Sequence, residues 1–378
     1  MITHLHKEEC SGCEACAQIC PRHCISMATD EDGFVYPKTD STECSNCGLC
    51  EKICPIINLN TEREPIKVYA GKNEDDSIRL KSSSGGIFHV LASMIIKEGG
   101  AVFGAKFNEN WEVIHDYTDT IEGIQPFLGS KYVQSRIKNC YNVVEQFLRS
   151  SRKVLFSGTP CQIAGLKNYL RKKYSNLITI DIVCHGVPSP LIWQSYLQQQ
   201  SSQKPIYVSF RDKSTGWDSY SLCIKTLQKT IKRKAVDDNY MRCFIGNLSL
   251  RPSCYECKFK CGRSHSDITL GDYWGIKQIT PQLNDNIGTS LILANTLTGL
   301  ELINSLNIHF EQIPYNKVIK YNPSIVKSSP LNDTLRLDFW QDFHTKGAKA
   351  IHKYGKKFAP SLILRIKITI AKLLKRCK

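Results

Sequence analysis

Two cysteine runs of identical spacing occupy the first 54 residues of the chain. One is Cys10-x2-Cys13-x2-Cys16-x3-Cys20-Pro and the other is Cys44-x2-Cys47-x2-Cys50-x3-Cys54-Pro. Bacterial two-cluster ferredoxins use this run to hold two [4Fe–4S] cubanes, and the fourth cysteine of each run binds the other cluster. The spacing therefore predicts one cluster on Cys10, Cys13, Cys16 and Cys54, and a second on Cys44, Cys47, Cys50 and Cys20.

Zinc is the alternative interpretation of these cysteines, because four-thiolate zinc ribbons also contain C-x2-C pairs. A zinc ribbon needs two pairs per ion, whereas this chain has two copies of a four-cysteine run that ends in proline. The iron–sulfur interpretation is therefore preferred. Cys24 lies outside the pattern, and we expect it to be a small buried residue.

The remaining composition is that of a globular chain. Its 378 residues are enough for two or three domains. The 18 cysteines come without a secretory pattern and without an apolar run of about 20 residues, which favours metal or redox use and a cytoplasmic location.

The net charge of +15 is unevenly distributed. Residues 1–60 hold four Lys or Arg against nine Asp or Glu, whereas residues 345–378 hold eleven Lys or Arg and no acid. Because the basic excess belongs partly to the tail, no nucleic-acid partner is expected.

The patterns predict an α+β dicluster ferredoxin domain followed by an α/β domain with a mixed, mainly parallel sheet. Strands alternate with helices in the second domain, which is typical of a sheet covered on both faces. The predicted strands are 68–71, 101–107, 112–117, 153–157 and 177–184, and the predicted helices are 87–97, 161–173 and 191–200. The expected divisions are a ferredoxin domain at 1–60 with a linker at 57–66, an α/β domain in two parts at 67–150 and 151–325, and a basic tail at 345–378.

A serine- and glycine-rich segment, Ser82-Ser-Ser-Gly-Gly86, precedes the first predicted helix. Glycines let backbone N–H groups converge, and a helix N-terminus favours anions, so the segment could hold a phosphate. A plain helix cap is the alternative. The chain lacks a G-x-G-x-x-G after a strand, so the usual dinucleotide fingerprint is absent.

Four more cysteines could form a further site. Cys161 follows a predicted strand and a Thr-Pro pair that suits a helix start, and Cys184 ends the next predicted strand. If these strands are neighbours, both sulfurs lie at the carboxyl edge of the sheet, where α/β folds bind ligands. Cys254 and Cys257 would complete a four-thiolate set for a third [4Fe–4S] cluster. The alternative is two ordinary buried thiols beside half of a zinc knuckle, with Cys261 as a spare thiol.

Seven segments between Lys67 and Leu306 carry a family resemblance: Ser82-Ser-Ser-Gly-Gly-Ile-Phe88, Ser130-Lys-Tyr-Val-Gln-Ser135, Gly158-Thr-Pro-Cys-Gln162, Val183-Cys-His-Gly-Val-Pro-Ser189, Phe210-Arg-Asp-Lys213, Arg251-Pro-Ser-Cys-Tyr-Glu-Cys257 and Asp267-Ile-Thr-Leu-Gly-Asp-Tyr-Trp-Gly275. In this order they resemble the coenzyme F-420 hydrogenase/dehydrogenase beta-subunit family, here fused behind a dicluster ferredoxin domain. Plant 7-hydroxymethyl chlorophyll a reductase is similar to the same family.

The resemblance implies an FAD (or FMN) in the α/β domain and a third cluster beside it. It implies Cys161, Cys184, Cys254 and Cys257 as ligands of that cluster, with Cys261 outside the family pattern. The residues expected near the flavin are Ser83, Ser84, Gly85, Gly86, Lys131, Thr159, Gln162, His185, Gly186, Arg211, Asp272 and Trp274. His185 is the candidate proton donor, or else a turn histidine that bonds the backbone. Trp274 either stacks on the flavin or packs in the core.

The predicted function is electron transfer between the clusters and a flavin that exchanges hydride with a small organic substrate or a deazaflavin. Its partner would be an electron-donor or electron-acceptor protein. The alternatives are an electron-transfer subunit without catalysis that docks a partner enzyme, and a zinc protein that binds nucleic acid. Residues 361–378 predict a basic amphipathic helix, which either contacts the inner face of an anionic membrane or packs on the core.

Overall fold

The computed structural model describes residue 2 and residues 6–359 of the chain. The cysteine-rich segment forms a small unit of two short helices and one antiparallel hairpin. Its elements are α1 (Ala15–Ile19), β1 (Ile25–Thr29), β2 (Val35–Thr39) and α2 (Leu49–Lys52). We call residues 6–56 the ferredoxin unit.

Strands and helices alternate after the ferredoxin unit. The elements up to the middle of the chain are β3 (Lys67–Gly71), α3 (Asp76–Lys81), α4 (Ile87–Lys97), β4 (Ala101–Phe107), β5 (Val113–Thr118), α5 (Cys140–Arg149), β6 (Val154–Gly158), α6 (Pro160–Leu170) and β7 (Leu177–Ile182). The later elements are α7 (Pro190–Gln200), β8 (Tyr207–Asp212), β9 (Ser221–Lys225), β10 (Thr230–Lys234), α8 (Asn239–Ile245), β11 (Ile268–Asp272), α9 (Ile276–Ile279), β12 (Ser290–Ala294), α10 (Leu297–Asn304), β13 (Phe310–Gln312), α11 (Tyr315–Tyr321), α12 (Asp333–Lys346) and α13 (Lys349–Lys357).

One mixed sheet organises the α/β domain, with strand order β13-β3-β12-β11-β7-β6-β4-β5. The four central strands β11, β7, β6 and β4 pair in parallel, and the outer pairs are antiparallel. The predicted fold class is thus confirmed. Because parallel strands end at the same edge, the segments that follow β6, β7 and β11 meet there.

Apolar side chains cover both faces of the large sheet. One face packs against α4 and α10 through residues such as Leu91 and Ile303. The other packs against α5 and α6 through residues such as Val144 and Leu166. Neighbouring residues of a strand point to opposite faces, which is why Val154, Leu155 and Phe156 of β6 are all apolar and buried.

Helix α6 begins as its sequence predicts and ends early. Thr159 and Gln162 form a reciprocal capping box, and Pro160 occupies the first turn, where its missing N–H costs nothing. Arg171 adopts a left-handed conformation with φ of 57°. The helix therefore stops at Leu170, short of the predicted end at residue 173.

A second core forms in the long connection between β7 and β11. This connection contains α7, α8 and a three-stranded antiparallel sheet in the order β10-β9-β8. Trp193, Phe210 and Tyr240 pack there against α12 and α13. Helix α13, which lies within the predicted tail, buries Ile351 and Tyr354 in this core.

The predicted amphipathic helix at 361–378 lies outside the described residues. Among the residues that are described, no helix is long and apolar enough to cross a membrane.

Candidate functional site

Two cavities in the ferredoxin unit are lined by its cysteines. The first cavity is lined by Cys10, Cys13, Cys16 and Cys54. The second is lined by Cys20, Cys44, Cys47 and Cys50. In each, three cysteines of one run meet the fourth cysteine of the other, which is the grouping that the spacing predicts.

Cys24 also lines the second cavity, with its Sγ 3.3 Å from that of Cys20. It is buried, as expected, although it lies beside a predicted cluster site and not in an unrelated part of the core. Cys47 is exposed, so the second cavity lies near the surface of the ferredoxin unit.

A third cavity is lined by Cys161, Cys184, Cys254 and Cys257. Strands β6 and β7 are parallel neighbours, so Cys161 and Cys184 both follow carboxyl ends at the same edge of the sheet. The loop with Cys254 and Cys257 faces them from the long connection. Cys261 does not line this cavity, and its Sγ lies 3.8 Å from the carbonyl oxygen of Val326.

Burial opposes ionisation of the thiols around the third cavity. It raises the pKa of Cys161 to about 11 and that of Cys254 to about 12, and it also raises the pKa of Cys184. A metal centre that binds thiolates supplies the positive charge to overcome this cost. No three His, Cys, Asp or Glu side chains among residues 6–359 converge on one point. The four thiols instead surround open space.

The first and third cavities are neighbours. Ser11 and Ile56 line both of them. Helix α6 connects them as well, because Cys161 lies in its first turn and Gly165, one turn later, packs against Cys13. The structure thus places the ferredoxin unit directly against the edge of the sheet that holds the third cavity.

The segment Ser82–Gly86 lies at the same edge of the sheet. Ser84 donates its Oγ hydrogen to the carbonyl of Thr289 at 2.6 Å, and the Gly85 N–H donates to Ser290 Oγ at 2.9 Å. Ser83 and Ser130 share a hydroxyl contact of 2.7 Å. Gly86, with φ of 80°, is the N-cap of α4, and no side chain caps the helix.

A buried ion pair lies behind this segment. Arg211 donates from Nη1 and Nη2 to the two carboxylate oxygens of Asp272, at 2.8 and 3.1 Å. Arg211 also donates to the carbonyl of Ser83 at 3.3 Å. The indole of Trp217 donates to Asp272 and stacks on Trp274, with ring centroids 4.9 Å apart and planes 7° apart.

Lys131, Thr159 and Gln162 are hydrogen-bonded to other groups of the protein. The ammonium of Lys131 donates to the carbonyls of Pro126 and Leu128, and its burial lowers the pKa of Lys131 to about 7. Thr159 and Gln162 cap α6, and Gln162 also donates to Ser135 Oγ at 2.9 Å.

His185 and Gly186 line the third cavity and are therefore grouped with its cysteines. His185 Nε2 lies 2.6 Å from Asn247 Oδ1, and Nδ1 lies 3.5 Å from Ser329 Oγ. Burial lowers the pKa of His185, so the neutral ring is favoured. Both ring nitrogens thus have side-chain partners, and a role as proton donor stays a prediction.

Three basic residues of the site received no role from the sequence. Lys213 donates to the carbonyls of Arg79, Ser84 and Ile287 and so holds the Ser82–Gly86 segment. Lys260 donates to the carbonyls of Cys184 and Ser324. Arg251 contacts the ferredoxin unit. Lys213 and Arg251 are part of the quoted motifs, but nothing in those motifs shows that the side chains are buried.

The fold and the cavities define an iron–sulfur protein with a dicluster ferredoxin unit and an α/β domain, which we call the α/β body. Comparison with known families agrees with this class. Residues 9–56 match the 4Fe-4S dicluster domain. Residues 151–314 match the family described as the C terminus of the coenzyme F420 hydrogenase/dehydrogenase beta subunit. The predicted resemblance is therefore confirmed: residues 151–314 match the C-terminal domain of this family, and a dicluster domain match precedes them.

Among solved structures, the chain is similar to one from the F420-reducing [NiFe] hydrogenase complex of Methanosarcina barkeri, studied by xenon derivatization. The two are 16% identical, with a TM-score of 0.48, and the alignment covers 78% of this chain and 92% of that one. No curated protein matches the chain in sequence. The family matches support an iron–sulfur protein of the electron-transfer oxidoreductase type.

Proposed function

We propose that the chain is an iron–sulfur flavoprotein that links an external electron-transfer protein to an organic hydride donor or acceptor. Bound cubanes supply single-electron steps, and a bound flavin supplies the conversion to electron pairs. The observation that carries the proposal is the series of three cysteine-lined cavities, in which Ser11 and Ile56 line both the first and the third.

The third cavity fits a cubane by its donor set. Four thiols from three separate segments of the chain line one cavity, and a cubane binds one thiolate at each of its four irons. Cys161, Cys184, Cys254 and Cys257 would hold it. Cys261 contacts Val326 and is left out of the set.

The Ser82–Gly86 segment fits the phosphate end of a flavin nucleotide. The N-terminus of α4 is open, since Gly86 provides no side-chain cap, and such termini bind phosphate. Lys213 and Arg211 donate hydrogen bonds to the carbonyls of Ser84 and Ser83 and so hold the backbone of the segment from behind. The Nε of Arg211 is buried and has no partner among the described residues. Phosphates of FAD or FMN would be bound by these groups.

The stacked Trp217 and Trp274 pair, together with the half-buried Lys131, would flank the remainder of the flavin. Asp272 orients this wall, because it accepts hydrogen bonds from both Arg211 and Trp217. Within this proposal His185 acts at the third cavity as a neutral ring held by Asn247.

The external partner would dock near the second cavity, where Cys47 is exposed. The organic substrate would meet the flavin at the carboxyl edge of the sheet. A deazaflavin is one candidate, because coenzyme F420 is named in the description of the matching family.

Anaerobic purification with iron, sulfide and flavin analysis tests the proposal. We expect about twelve iron atoms and one flavin per chain, since three [4Fe–4S] clusters contain about twelve irons. The variant Cys257→Ser should lose about four irons, whereas the matched control Cys261→Ser should keep them all. Full iron content without bound or bindable flavin would overturn the flavoenzyme and leave an electron-transfer subunit.

A further inference from the structure

Arg251 is a fully buried arginine at the junction of the ferredoxin unit and the α/β body, with none of its side chain exposed. It lines the third cavity, three residues before Cys254. Its guanidinium simultaneously contacts the loop that begins the first cysteine run. The side chain therefore lies between the ligands of the first cluster and those proposed for the third.

Three hydrogen bonds fix this guanidinium. Nε donates to the carbonyl of Cys10 at 2.7 Å, Nη1 to Gln134 Oε1 at 3.1 Å, and Nη2 to the carbonyl of Val35 at 3.0 Å. The guanidinium also lies over the ring of Tyr36, 4.2 Å from its centroid. Cys10, Val35 and Tyr36 all belong to the ferredoxin unit, so one side chain of the body holds the unit by several contacts.

The cysteine loop is shaped to receive this side chain. Gly12, between Cys10 and Cys13, has φ of 66°, and a Cβ there would lie 2.8 Å from Nη1 of Arg251. A side chain at position 12 would be strained in this conformation and would collide with the guanidinium. Arg251 can therefore approach the loop between Cys10 and Cys13 closely because residue 12 is a glycine.

The acceptors of Arg251 are all neutral. They are two backbone carbonyls and one amide, and within the described part of the chain the guanidinium forms no ion pair. A buried cation without an anionic partner is costly, and an arginine keeps its proton. A cubane with four thiolate ligands carries net negative charge and becomes more negative on reduction. The clusters on either side are therefore the anions that this charge can stabilise.

We propose that Arg251 is a positioning residue that also sets redox potential: its fixed positive charge raises the reduction potential of the first cluster, and its hydrogen bonds hold the first cysteine loop against the third cavity. Reduction here adds one electron from the external donor to the cluster, and no proton leaves the guanidinium. The same effect on a third cluster rests on the proposed function, whereas the effect on the first cluster rests only on the dicluster domain.

The test is a redox titration of the anaerobic full-length holoprotein, followed by electron paramagnetic resonance. Arg251→Met removes the charge and should lower the equilibrium constant for reduction of the first cluster at least tenfold, which corresponds to about 59 mV for one electron. Arg251→Lys keeps the charge and should restore more than half of that shift. The second cluster is the internal control, because Arg251 does not line its cavity, and it should shift less than threefold.

Gln134→Glu provides a second variant of nearly the same shape. It places a carboxylate beside Nη1 and should lower the potential of the first cluster in the same direction, even if Arg251→Met does not fold. Arg242→Met removes another buried guanidinium, on α8, and should leave both potentials unchanged.

The inference is overturned if Gln134→Glu, or a folded Arg251→Met protein, keeps the wild-type potential of the first cluster. It is also overturned if Met and Lys at position 251 shift the potential equally, because geometry and not charge would then be responsible. Iron analysis separates the two proposals. About eight irons per chain with the expected shift would refute the third cluster alone, whereas about twelve irons without a shift would refute the role of Arg251 alone.

Discussion

Three buried basic side chains of the candidate site are hydrogen-bonded to neutral groups. Lys213, Lys260 and Arg251 are buried, and each donates to two or three carbonyl oxygens or amides. Burial lowers the pKa of Lys213 to about 7. A pocket edge with uncompensated positive charge favours anionic groups, such as phosphates and thiolate-bound clusters.

His115 on β5 is a buried histidine that makes stability depend on pH. Its Nε2 lies 3.0 Å from the carbonyl of Ser157, its ring stacks on Phe156, and Nδ1 has no partner in the described residues. Burial lowers the pKa of His115 to about 4 from the usual 6.5. The unfolded chain therefore binds this proton more tightly, and the free energy of unfolding falls as pH decreases from 6.5 to about 4, by at most about 3 kcal/mol.

We expect His115→Phe to keep the stacking and to flatten this pH dependence. Denaturant unfolding at pH 7 and at pH 5 would measure this difference. The midpoint denaturant concentration should fall less between the two pH values in the variant than in the wild type. His309→Gln, which changes an exposed histidine, is the matched control and should keep the wild-type slope. Equal slopes for His115→Phe and the wild type would contradict the assignment.

Among the elements, α6 connects the first cavity to the third along the proposed electron path. Its first turn holds Cys161, and Gly165 faces Cys13 of the ferredoxin unit. A Cβ on Gly165 would lie 3.0 Å from Cys13 Sγ and 3.1 Å from the hydroxyl of Tyr141. The absence of a side chain at position 165 allows Cys13, just before α1, to pack closely against α6.

Gly165→Ala and Gly165→Val form a graded test of this contact. Alanine improves helix propensity by about 1 kcal/mol, but overpacking costs about 1–3 kcal/mol, so a net loss of stability is expected that grows from Ala to Val. Urea unfolding and the rate of cluster loss in air would report it. Stabilisation by alanine would mean that the contact with Cys13 is loose.

The strand and helix pattern of the body was predictable at the level of elements. Helix α4 has the predicted bounds Ile87–Lys97, and the β4–β5 hairpin was expected within one residue. The end of α6 was not predictable, because it depends on the left-handed conformation of Arg171. Such a conformation at a non-glycine residue reflects the surrounding structure more than local preference.

On the scale of the whole molecule, the ferredoxin unit is docked by polar contacts as well as apolar packing. The carboxylate of Glu14 is buried and accepts hydrogen bonds from the backbone N–H groups of Ile137 and Lys138 and from Arg136 Nε. Gln18 accepts from the N–H of Tyr141 at the start of α5. The side chains of Glu14, which is the N-cap of α1, and of Gln18 thus attach the ferredoxin unit to the α/β body.

Glu14→Gln should loosen this docking. The charge that three donors share is removed, and hydrogen bonds to charged groups contribute about 1.5–3 kcal/mol each. Hydrogen exchange at the amides of Ile137 and Lys138 should become at least about tenfold faster, which corresponds to about 1.4 kcal/mol. Glu8→Gln, at an exposed position, should leave both rates unchanged. Unaltered exchange in Glu14→Gln would show that apolar packing alone holds the unit.

The sequence by itself determined the clusters of the ferredoxin unit, because ligand spacing within one short run is a local property. It also determined the fold class, since strand and helix periodicities are local. Only the tertiary structure decided that β6 and β7 are neighbours, that Cys254 and Cys257 face Cys161 and Cys184, and that Arg251 reaches Cys10. These residues are far apart in the chain. Their contacts arise from packing of whole elements, and burial of a charge becomes visible only when that packing is known.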